Sequence, residues 1–131
     1  MERMLGQISL LVRDYDEALY FYINVLGFEL VEDTVLTPEK RWVVVKPKNS
    51  SGQGCNLLLA RAATPHQENF IGNQTGGRVF LFLYTDNIQR DYEMLLKHNV
   101  KIVRPASEEE YGTVLVFSDL YGNLWDLIER K

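Results

Sequence analysis

The sequence predicts an α+β fold built from two tandem βαβββ modules, and three observations carry that prediction. The order strand, helix, strand, strand, strand occurs twice along the chain. Both helices open on an aspartate followed three residues later by a glutamate or glutamine, the spacing of a capping box. Both close on a residue type that tolerates a left-handed backbone, Gly27 in the first half and Asn99 in the second.

The first half reads as a strand over 8–12, a helix over 15–26 and a strand over 28–32. "RWVVVK" at 41–46 and "NLLLARA" from Asn56 are strand-like by their β-branched and apolar content. Asp14 and Glu17 form the expected cap, and Tyr15, Leu19, Tyr22 and Leu26 an apolar stripe at helical spacing. The second half repeats this with a strand over 79–84, a helix over 88–97 and strands over 100–104, 113–117 and 123–129. Here the expected cap is Asp86 with Gln89, and the stripe is Ile88, Tyr92 and Leu95. The modules therefore span about 1–63 and 78–131 of a single domain, 1–131. The segment 64–77 joins them, opening on Thr64 and Pro65 as a short helix or turn and ending on Gly76 and Gly77 as a flexible joint. Loops at 37–40 and 47–54 connect neighbouring strands. Each helix covers one face of its sheet, so the other face is expected to meet a second sheet.

Composition narrows the function. A chain of 131 residues can bury a hydrophobic core without staples. A net charge of −4 and no basic run interleaved with aromatics argue against a nucleic-acid partner. The longest apolar runs, "VFLFLY" and "NLLLA", are far shorter than the ~18 residues of a membrane helix, so no membrane partner is expected. The opening "MERMLGQ" is charged and carries no apolar core of a secretory signal. The single cysteine, Cys55, excludes an internal disulfide framework and fits a reducing, cytoplasmic location.

Two stretches resemble a known family. "VRDYDEALYFYINVLGF" resembles the opening signature, and "YGNLWDLIE" the closing strand, of the vicinal-oxygen-chelate superfamily. That superfamily includes glyoxalase I, bleomycin- and fosfomycin-resistance proteins and extradiol dioxygenases. The resemblance covers nearly the whole chain and implies a glyoxalase-like fold, in which the curved sheets of the two modules form a cup-shaped mixed β-sheet, commonly in a homodimer. In metal-dependent members the cup holds a divalent ion through four side chains from the first and last strands of each module. Carried over, those positions fall on Gln7, Leu59, Asp126 and either Val79 or Phe80. Gln7 stands where His or Gln is usual and Asp126 where Glu is usual, but Leu, Val and Phe carry no lone pair for a metal. The expected metal ligands are therefore none, and the expected cofactor none, with a weakly held divalent metal as the one alternative.

The candidate site residues each have two readings. Gln7 is a polar residue at a strand mouth or a hydrogen-bonding group at the floor of the cup. Alternation favours the second, leaving Gln7, Ser9 and Leu11 on the face away from the helix. Asp126, set among Leu124, Trp125, Leu127 and Ile128, must pair with a cation, shift its pKa or face water. It is the catalytic candidate. Phe80, Phe82 and Tyr84 share one face of their strand, as core or as an aromatic lining suited to a flat ligand. Arg41 and Arg78 at strand starts face solvent or grip a carboxylate or phosphate bidentately. Tyr111 closes a pocket mouth or belongs to a solvated loop, "SEEEY". Trp42 and Trp125 are expected between sheet and helix.

Together these residues predict a metal-independent homodimer whose cup binds a small organic molecule, with Gln7, Asp126, Arg41 and Arg78 as polar anchors. The alternative is a glyoxalase-like lyase or isomerase with Asp126 as general base and Gln7 orienting the substrate oxygen. A third reading is an interaction module with a filled cup.

Overall fold

Leu10, Val12, Val43, Val45, Leu57 and Leu59 alternate along three strands with outward-facing neighbours, and each is buried to within 3% of complete. They form the floor of the first of two units into which the computed structural model divides, Met1–Asn69 and Phe70–Lys131. The structure describes residues 1–49 and 52–131. Ser50 and Ser51, within the loop expected at 47–54, lie outside the described residues.

In the first unit, β1 (Gln7–Val12), β2 (Glu29–Thr37), β3 (Lys40–Lys46) and β4 (Asn56–Arg61) form a mixed sheet in the order β1-β4-β3-β2. Strands β1 and β4 are parallel, and the other pairs antiparallel. Helix α1 (Tyr15–Leu19) starts as expected, with the Asp14 carboxylate accepting from Glu17 N–H at 2.8 Å. The Glu17 carboxylate turns to Arg13 instead of closing the box. The helix does not stay α-helical to residue 26. Over Tyr20–Val25 it widens into a π-helical turn, closed by Leu26 N–H on the Phe21 carbonyl at 3.0 Å, five residues back. The widening moves the buried stripe to Tyr15, Ala18, Phe21, Tyr22 and Val25, so Leu19 and Leu26 are only half-buried. Gly27 then takes the left-handed backbone expected of it, with φ +73°.

The second unit repeats the arrangement. Strands β5 (Leu81–Tyr84), β6 (Ile102–Glu109), β7 (Gly112–Ser118) and β8 (Leu124–Arg130) run in the order β5-β8-β7-β6, again with only β5 and β8 parallel. Its core holds Leu95, Leu115, Leu127 and the stacked pair Phe117 and Trp125, whose ring centroids are 5.9 Å apart. Helix α3 (Ile88–Lys97) is capped by Asn87, which accepts from Arg90 N–H at 3.0 Å, not by Asp86. Asp86 pairs with the Arg90 guanidinium one turn on. Asn99, at φ 58°, ends the helix as expected. Strand β6 runs past Arg104 to Glu109, taking in Pro105 and most of "SEEEY". It is an edge strand with register shifts between Ile102 and Ser107, where a missing N–H is tolerated.

Before the second sheet, Thr64 caps the short helix α2 (Pro65–Glu68) by accepting from Gln67 N–H, and Gln67 reaches back to Ala63 N–H at 2.7 Å. These two hydrogen bonds straddle the start of the expected joining segment, from Ala63 to Gln67. Further along the same segment, Gly72 lies close against the connection between β7 and β8. A Cβ on Gly72 would lie 1.8 Å from the Tyr121 carbonyl oxygen.

Candidate functional site

The two faces of the second sheet differ sharply. Trp125, Leu127, Leu115 and Phe117 point to the helix side, where Ile88 N–H of α3 donates to the Glu129 carboxylate at 2.8 Å. The opposite face carries Phe82, Tyr84 and Asp126. Phe82 stands in register with Asp126, and Tyr84 with Ile128. Phe82 is 57% exposed and Tyr84 55% exposed, so two large rings stand in solvent beside one carboxyl group. Sheet pairing makes this local arrangement, since neighbours in register on adjacent strands share a face.

Burial pushes the Asp126 carboxyl above the usual carboxylate range, and the positive charge of Arg104 partly offsets that. Arg104 reaches this face through the register, opposite Val116, which is itself opposite Asp126. The Arg130 guanidinium lies 4.3 Å from the centroid of the Tyr84 ring, a cation–π contact. The face thus combines apolar rings, an acid and two guanidinium groups.

In the first sheet the corresponding face carries Gln7 and Ser9 of β1, Leu58 of β4 and Val44 and Trp42 of β3. Gln7 pairs with Asn56, and Ser9 with Leu58, which in turn pairs with Val44. Gln7 is half-buried and Ser9 exposed. Trp42 belongs to this face and is 36% exposed, whereas Trp125 is 3% exposed on the helix side as expected. Arg41 lies on the other face. Its guanidinium grips Asp33 through two hydrogen bonds of 3.1 and 2.7 Å and Asp16 through a third of 2.9 Å, over the Tyr15 ring. The fork expected to meet a ligand is engaged within its own unit.

The remaining candidates lie outside the strands. Phe80 precedes β5 and donates its N–H to the Leu124 carbonyl at 2.8 Å. Arg78 is exposed, and its carbonyl accepts from the Thr75 hydroxyl. Tyr111 sits in the tight turn between β6 and β7, 55% exposed, its carbonyl accepting from Lys131 N–H near the end of β8 and so away from Asp126.

The two registers correct the expected metal positions. Asp126 pairs with Phe82 and Val116 as Leu58 pairs with Ser9 and Val44. Of the two leucines, only Leu58 lies on the face that corresponds to the face of Asp126. Leu59 is fully buried on the helix side, and a one-residue slip moves a side chain to the other face. The same matching pairs Gln7 with Phe80 rather than Val79. Each sheet then offers one oxygen donor and one hydrocarbon at these positions, a set that does not fit a catalytic divalent ion. Among the described residues no group of three or more His, Cys, Asp or Glu could hold one.

Sequence reasoning missed Trp42 and Arg104. Three consecutive valines after Trp42 conceal which parity faces the core. Arg104 falls beside Pro105, where the strand was expected to stop.

The family model described as Glyoxalase/Bleomycin resistance protein/Dioxygenase superfamily matches residues 4–127. An uncharacterized protein of Shewanella frigidimarina (strain NCIMB 400) is 56% identical over 130 residues, 98% of this chain and 95% of the relative. Among solved structures, UcmS2 matches with a TM-score of 0.82 at 27% identity, covering 98% of this chain and 99% of that one. TnmS3, an antibiotic binding protein from Streptomyces sp. CB03234, matches with a TM-score of 0.78 at 26% identity, covering 99% and 98%. Among the described residues no helix is long and apolar enough to cross a membrane.

Proposed function

We propose that this chain, which belongs to the Glyoxalase/Bleomycin resistance protein/Dioxygenase superfamily, binds a small organic molecule on the aromatic face of its second sheet, without a metal ion and without chemical change. The observation that carries this reading is the pair of half-exposed rings, Phe82 and Tyr84, beside the carboxyl of Asp126. Exposed aromatics of this size, with a few polar groups to fix orientation, suit a flat ligand. Similarity to an antibiotic binding protein supports the same class of ligand. The donor chemistry supports a metal-free site, since Leu58 and Phe80 offer nothing to an ion. A thermal-shift screen of aromatic antibiotics, bleomycin among them, tests the reading. A hit that stabilises the EDTA-treated protein supports it, and a screen in which stabilisation requires added divalent metal counts against it.

The reading extends to a cytoplasmic homodimer, in keeping with the lone Cys55 and with the dimeric habit that the sequence resemblance implies; light scattering of the purified protein measures the second point. One observation favours a second reading, a glyoxalase-like lyase or isomerase. Burial raises the pKa of Asp126, as a general base requires. Turnover of the hemithioacetal of methylglyoxal and glutathione, lost in Asp126→Asn, would establish the enzyme over the binding protein.

A further inference from the structure

Strands β3 and β4 pair only from Val43–Leu59 to Val45–Leu57. Both continue beyond that point in ladders with their outer neighbours, β3 to Lys40 against β2 and β4 to Arg61 against β1. The next antiparallel pair would join Arg41 to Arg61 through their main chains. Instead, the Arg41 N–H donates to the Tyr15 hydroxyl at 3.1 Å. Tyr15 is 6% exposed, so the hydroxyl stands wedged in the fork in place of the Arg61 carbonyl. Between the diverging strands lies a cleft of about 590 Å³, lined by Tyr15, Trp42, Leu58, Ala60, Ala62 and Gln67. The side of Arg61 turned toward β3 has no partner from β3, which leaves a main-chain donor and acceptor on the cleft's edge.

We propose that this fork is a second binding site, for a flat, uncharged molecule that presents an adjacent hydrogen-bond donor and acceptor, as a lactam does. The ring lies against Trp42, whose indole is exposed where the tryptophan of the second sheet is buried. The donor–acceptor edge takes the Arg61 main-chain groups that the ladder leaves open. Side chains of both signs rim the cleft, Glu39 and Glu68 against Lys40, Arg41 and Arg61, and the Arg41 guanidinium is already held by Asp33 and Asp16, so neither an anion nor a cation is favoured. A cleft of this volume falls in the range of small-molecule pockets, roughly 300–1,000 Å³. The site lies wholly within the first unit and shares no residue with the face of Phe82, Tyr84 and Asp126.

The probe is 2-quinolinone, a planar lactam, titrated into the full ¹⁵N-labelled chain. The expected result is a shift of the Arg61 amide and of the Trp42 indole N–H, saturating in the millimolar range of a fragment. The N-methyl derivative, which lacks the donor, binds about tenfold more weakly, a loss of the size one charge-free hydrogen bond and its unsatisfied partner would cause. Trp42→Ala weakens 2-quinolinone by at least about tenfold, and Phe82→Ala leaves it unchanged. Shifts that miss Arg61, equal binding of the N-methyl derivative, or no binding at all would overturn the proposal. The comparison of the two probes on the unaltered chain decides even if Trp42→Ala does not fold. Loss of 2-quinolinone binding in Phe82→Ala would move the lactam to the other face and reject the fork while leaving the proposed function standing.

Discussion

Phe82 and Asp126 stand side by side in the parallel ladder of β5 and β8, an exposed ring next to a carboxyl group that burial holds partly against ionisation. A ring placed for stability would be buried, as Phe117 is on the other face at 0% exposure. Phe82→Ala is therefore expected to change stability by less than about 1 kcal/mol, whereas Phe117→Ala costs about 3–5 kcal/mol. Urea denaturation of the two variants measures the contrast.

The Asp126 carboxyl gives stability a specific pH dependence. The native chain holds this proton to higher pH than the unfolded chain does, because burial raises the native pKa above the ordinary value of 3.8. The contribution is full below the unfolded pKa and is lost as pH rises through the native one. Asp126→Asn should therefore leave stability near pH 3 little changed and raise it at neutral pH. Chemical denaturation of both proteins across that window measures the difference.

Asp33 responds in the opposite direction. The hydrogen bonds from Arg41, more than its charge, hold the Asp33 carboxyl below its usual range. That stability is present above the unfolded pKa and is lost as pH falls through the native one. Arg41→Met should cost about 1–2 kcal/mol at neutral pH and less in acid. Asp16, with a side chain 79% exposed, contributes little of this, so Asp16→Asn should be nearly silent.

Gly72 and Gly76 have similar left-handed backbones, at φ +76° and +68°, but different surroundings. A methyl group on Gly72 meets the Tyr121 carbonyl, and one on Gly76 meets open space. Gly76→Ala should cost about 1–2 kcal/mol from the backbone alone. Gly72→Ala should cost distinctly more, because the strand connection must move. Thermal melts of the pair isolate the close approach.

Much of this fold was legible in the sequence because its signals are local. Asp14, Gly27 and Asn99 act within a helical turn, and the structure uses each as read, although Glu17 turns to Arg13 and leaves the box half-closed. The π-helical turn over Tyr20–Val25 was not legible, since its width is set by how Phe21, Tyr22 and Val25 reach the sheet and not by any short-range preference. The shift of the second helix cap from Asp86 to Asn87 has the same character. Both residues can cap, and the one that does leaves Asp86 for Arg90. At the candidate site, alternation placed Gln7 and Ser9 opposite the helix side and grouped Phe82 with Tyr84. It gave no guide at Trp42 and Leu59, because runs of valine and leucine carry no period of two. Arg41 could not be assigned from its position at a strand start, since its partners Asp16 and Asp33 come from two other elements.

The most direct test of the central claim is calorimetric titration of the EDTA-treated chain with the strongest hit from the aromatic antibiotic screen, repeated on Phe82→Ala/Tyr84→Ala. Binding should be indifferent to divalent metal and at least about tenfold weaker in the double variant. Binding that requires a divalent ion, or that survives loss of both rings undiminished, would contradict the claim.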